Sequence, residues 1–154
     1  MTWNAFRTRG EILREVTALA DARPDGTLPW DVDGVPRAFA DELDLVGALQ
    51  LRWHTRLAGR IEREQLSQPL DLEQAVITAW RATAQELPGI RAIVDRHREQ
   101  PLDRAMAEAM TVATAKEHEL LAVMAGRAAL GDPRAARVGA EIEARARAEV
   151  VLAA

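Results

Sequence analysis

Apolar residues recur along most of the chain at spacings of three and four, the mark of helices with one buried face. Phe6, Ile12/Leu13, Val16 and Leu19/Ala20 predict a first helix to about Ala22, with Asn4 as its cap. The stretch from Arg23 through Pro36 holds three Pro and two Gly, a density that neither a helix nor a central strand tolerates. This stretch reads as a structured loop anchored by Trp30. Its Asp31-Val32-Asp33-Gly34 run departs from a calcium loop, because the twelfth position holds Ala40 where a Glu is required.

Pro36 opens the longest expected helix, to about Leu66, or roughly 45 Å at 1.5 Å per residue. Its stripe is Phe39, Leu43, Val46, Leu49, Trp53, Leu57 and Ile61. A third helix is expected from Pro69 to Leu87, with Leu72, Val76, Ala79/Trp80 and Thr83 on one side and Pro88-Gly89 as its stop. A short fourth, Ile90 to Arg98, places Ile90, Ile93/Val94 and His97 on one face. A fifth runs from Pro101 to about Leu130, with Leu102, Met106, Ala109/Met110, Ala113, Leu120 and Met124 inward. The last, Arg134 to Leu152, has few large apolar residues: Val138, Ile142 and Val150/Val151.

The pattern therefore predicts an all-α fold, an antiparallel helical bundle of about four long helices and two shorter or peripheral ones. Residues 1–130 are expected to form one domain. The Ala/Arg-rich helix of residues 131–154 is expected to pack on that bundle or on a second chain. Small residues on its stripe suit close backbone approach.

Composition sharpens this picture. Tyr is absent, while Ala, Leu, Glu and Arg dominate, and these favour helix over strand. Of 20 basic residues only Lys116 is Lys. With 24 acidic residues and a net charge of -4, this bias reads as codon usage rather than a nucleic-acid-binding surface. Zero Cys excludes disulfides, thiolate metal sites and a cysteine nucleophile. No apolar run approaches the ~18–20 residues of a membrane span, and no secretory leader is visible, so a cytoplasmic protein is expected.

Catalytic signatures are missing: no phosphate loop, no Gly-x-Ser-x-Gly and no His-Glu-x-x-His. Di-iron bundles need Glu-x-x-His, yet Leu51, Val94 and Ala115 stand three before His54, His97 and His118. In size and in these scattered histidines the chain resembles the DinB-like metal-binding bundles. That family's His-x3-His pair on one helix, or its variant, is absent.

What remains are polar groups on apolar stripes. Glu42, Arg60 and Glu64 fall within the sector of the long helix, with His54 at its edge. Glu117 falls on the core side of the fifth helix, with His118 directed to solvent. Salt bridges near helix ends account for the first group, and a carbonyl bond in the last turn accounts for His97. Trp53 and Trp80 read as core anchors.

Two function classes follow. The first is a non-enzymatic protein acting by association, as a homodimer or with a protein partner, with no cofactor. The alternative is a metal-binding bundle or metal-dependent enzyme. There His54, His97 and Glu117, with Glu42 or Glu64 as a fourth group, would take Zn, Fe or Mn. A carrier with a cavity lined by Met106, Met110 and Met124 ranks third.

Overall fold

Four of the helices begin where a side chain accepts an N–H group that the first turn leaves unpaired. The computed structural model describes residues 7–153, with side chains from 7 to 148. Helix α1 (Arg9–Ala22) starts at Thr8, whose hydroxyl accepts from the Glu11 N–H at 3.1 Å. The Glu11 carboxylate accepts in return from the Thr8 N–H at 2.8 Å, completing a capping box. The start is thus Arg9 rather than Asn4, and Asn4 and Phe6 lie outside the described residues.

The long helix expected from Pro36 is two helices. After α2 (Val35–Ala38), Phe39 is extended at φ -124° and ψ 134°, and α3 (Glu42–Ser67) restarts behind Asp41. The Asp41 carboxylate accepts from the Asp44 N–H at 2.8 Å. Helix α4 (Leu72–Glu86) is capped by Asp71 in the same way, with the Gln74 N–H at 3.0 Å.

Helix α4 stops at Glu86, just short of Pro88 as expected, and Pro88 then opens α5 (Pro88–Glu99), since a first-turn position needs no N–H from it. Helix α6 (Arg104–Met124) begins behind Asp103, which accepts from the Met106 N–H at 2.8 Å. It stops short of Leu130 because Gly126 turns left-handed at φ +71°. The Arg127 N–H then bonds back to the Ala122 carbonyl at 2.9 Å, a Schellman closure. Helix α7 is Ala135–Ala153. The fold is an all-α helical bundle, with seven helices and no strand among the described residues. None of these helices is long and apolar enough to cross a membrane.

Contacts divide the chain into two units. Unit 1 is Met1–Trp53 with Leu87–Met110, and unit 2 is His54–Glu86 with Thr111–Ala154. In unit 1, Ile12, Val16 and Ala20 of α1 are buried, as are Ile90, Ile93 and Val94 of α5, and these two helices pack together. Leu45, Val46, Leu49 and Trp53 of α3 and Met106 and Met110 of α6 are buried as well. Gly89 lets the start of α5 reach the end of α1, because a Cβ there would overlap the Ala20 backbone. Its N–H donates to the Asp21 carboxylate at 2.9 Å.

In unit 2, α7 packs on α4. The buried set includes Leu57, Ile61, Val76, Trp80, Leu121, Ile142 and Ala146. Of the face expected inward, Met106 and Met110 are buried, but Leu121 rather than Leu120 fills the core, and Ala109 and Leu102, which precedes α6, are exposed. Leu72 is also partly exposed, because it sits at the first position of α4 rather than mid-helix. The side chains of Val150 and Val151, expected on the α7 stripe, lie outside those described.

Candidate functional site

Three features carry chemistry beyond packing. The first is a half-open pocket in unit 1 of about 220 Å³. The loop after α1 supplies Gly26, Thr27, Leu28 and Trp30, α3 supplies Glu42, and the end of α5 supplies Arg96, His97 and Gln100. Leu102 completes it. The loop is pinned on both sides. Asp25 accepts from the Thr27 N–H at 2.9 Å, which holds its carboxyl below the usual carboxylate range. Gly26, at φ +84°, lies flat on α5, where a Cβ would meet Arg96 Cδ at 2.9 Å and the Ala92 carbonyl at 3.1 Å.

His97 is buried at 5% exposure, and its Nδ1 lies 2.7 Å from the Ile93 carbonyl. A carbonyl only accepts, so Nδ1 carries the proton and a neutral ring keeps its lone pair on Nε2. The expected carbonyl bond in the last turn is therefore present.

Of the residues expected to converge on a metal, His97 and Glu42 line this one pocket in unit 1. His54, Glu64 and Glu117 belong to unit 2. Glu117 is buried at 1% exposure, on the core side as its position predicts, whereas His54 is half-buried. Glu64 accepts from Arg60 Nε at 3.1 Å, the salt-bridge role. Among the described residues, no group of three or more His, Asp or Glu is placed to hold a metal ion.

The second feature is a buried polar cluster in unit 2. His118 does not point to solvent: α7 covers it, and its Nε2 lies 3.6 Å from the buried Glu143 carboxylate. Glu143 also lies 3.4 Å from Arg147 Nε, and the Arg147 guanidinium stands over the Trp80 ring at 4.7 Å. Unit 1 contains a related arrangement. The buried Arg91 guanidinium lies 4.4 Å from the Trp53 ring centroid and 2.8 Å from Asp95. Both pair a cation with an indole face and a carboxylate, so the charge is compensated on two sides. Neither Arg91 nor Glu143 stands out in the sequence. The available signals were the four-residue spacings of Arg91 to Asp95 and of Glu143 to Arg147.

The third feature is apolar. Leu66 is 84% exposed, Leu70 fully exposed and Leu130 81% exposed, with Leu72 partly so. The α3–α4 turn that bears the first, second and last of these touches the segment after α6. Gln65 donates to the Met124 carbonyl at 2.5 Å, and Arg127 donates to Glu73 at 3.0 Å. A Cβ on Gly126 would meet Leu72 Cδ1 at 3.6 Å. The α3–α4 end of unit 2 thus carries Leu66, Leu70 and Leu72 uncovered, and Leu130 is uncovered in the segment between α6 and α7. Comparison of the chain with protein-family models, curated proteins and solved structures finds no match in any of the three.

Proposed function

We propose that this protein acts by association, as a homodimer joined through the leucine-bearing end of unit 2. The observation that carries this reading is the exposure of Leu66, Leu70, Leu72 and Leu130 around two touching turns. Fully burying a leucine is worth about 1.5–3 kcal/mol. Leu66, Leu70 and Leu130, the most exposed of the four, can offset the roughly 4–15 kcal/mol that association costs in lost freedom.

Charge selects a second copy as the occupant. Within residues 65–72 and 124–131 the charged side chains are Asp71 and Arg127, one of each sign. Arg127 is paired with Glu73 of its own chain, so a two-fold contact sets such a patch against itself without strong net repulsion. The role is regulatory or structural and needs no cofactor.

The test is light scattering coupled to chromatography on the wild type and on a Leu66→Glu/Leu130→Glu double variant. Both side chains are exposed, so the variant keeps its helical content. The reading expects a dimer that becomes a monomer. A wild-type monomer at high concentration, or a variant that stays dimeric, would overturn it.

A further inference from the structure

We propose that the unit 1 pocket binds a small zwitterion, an α-amino acid with an apolar side chain. Four observations converge. At about 220 Å³ the pocket lies below the ~300–1,000 Å³ of clefts that take drug-sized ligands, so its occupant is a small metabolite. Arg96 and Glu42 both line it, yet among the described residues neither forms an ion pair, with each other or with any other group. What sets these two apart from other unpaired charges on the surface is that they share one pocket with the buried His97. An unpaired cation and an unpaired carboxylate across one small pocket match a ligand that carries both charges.

His97 supplies the buried polar group. Nδ1 is engaged by the Ile93 carbonyl, and among the described residues Nε2 has no hydrogen-bond partner. Nine-tenths buried against the pocket, it offers the ligand one directional bond. Arg96 takes the ligand carboxylate, with its stem steadied against Gly26, and Glu42 takes the ammonium. Leu28, Trp30 and Leu102 form the apolar wall. Leu102 is 56% exposed although it was expected to face inward, and a ligand's aliphatic side chain would cover it.

The experiment is a titration of 15N-labelled protein, followed by amide shifts, with L-leucine, N-acetyl-L-leucine and 3-methylbutan-1-amine. The second probe lacks the ammonium and the third lacks the carboxylate. L-leucine is expected to give saturable millimolar shifts at Gly26, Thr27, Trp30 and Gln100, and the other two to bind at least about tenfold more weakly. Arg96→Gln and Glu42→Gln are expected to weaken L-leucine by a similar factor while leaving the melting temperature unchanged. No saturation, equal response to the three probes, or unaltered binding by both variants would overturn the proposal. So would inorganic phosphate giving the same shifts, lost in Arg96→Gln but kept in Glu42→Gln, since that describes a plain anion site.

Discussion

Gly139 of α7 lies so close to the His118 carbonyl of α6 that no side chain fits between them. The approach is made by a stripe of small residues, Ala135, Gly139 and Ala146 with Ile142, all buried. It brings α7 over the polar side of α6 and closes His118 against Glu143.

Gly139→Ala should therefore force α7 away from α6. Overpacking of this kind costs typically ~1–3 kcal/mol, and here the clash is with backbone, which cannot rotate away. Thermal unfolding measures it. Gly59→Ala is the control: its Cβ would meet nothing within 4 Å in the middle of α3, so it should stabilise by about 0.5–1 kcal/mol. Equal melting temperatures for Gly139→Ala and wild type would contradict the close approach.

Trp53→Ala and Trp80→Ala should each lose about 3–5 kcal/mol, since both indoles are buried. Each also leaves a guanidinium, Arg91 or Arg147, without the ring it stands over. Chemical denaturation with an unchanged midpoint for either variant would contradict its burial.

Asp21→Ala should cost about 0.5–2 kcal/mol, the usual loss when a carboxylate that accepts a helix-start N–H is removed. Hydrogen exchange localises the effect. The amides at the start of α5 should open first, and an unaltered exchange rate at Gly89 would argue against the bond.

Acid should loosen the fold for a stated set of groups. Arg9, with help from the Ala40 N–H, holds the Asp44 carboxyl below the usual range, and Arg56 does the same for Glu86. Arg134 likewise lowers Asp132. A depressed carboxyl contributes stability above its unfolded pKa of about 4, lost as pH falls through the lower folded value. The melting temperature should hold from pH 7 to about 5 and decline below about 4. Asp44→Asn should make that decline shallower, and an identical acid limb would show that the Arg9 pair contributes nothing.

The sequence announces the helices because their stripes are dense: Val46, Leu49, Trp53, Leu57 and Ile61 recur without a gap, and all are buried. It hides the break at Phe39, since Phe39, Leu43 and Val46 keep helical spacing across the extended residue. The Asp41 cap was the sign of a restart. Glu117 and His97 are legible from one helix each. His118 is not, because its burial is made by a second helix whose small residues leave only a faint apolar stripe. The pocket is legible only in part. Glu42 and His97 stand on stripes, but their meeting with Arg96 and Trp30 depends on how the loop folds back over Gly26.

Hydrogen exchange at two protein concentrations tests association through the leucine-bearing end most directly. The account predicts that amides in residues 65–73 and 124–131 gain protection as concentration rises, while the rest of the chain exchanges at the same rate. Protection that does not depend on concentration in those two segments, or that appears elsewhere instead, would contradict it.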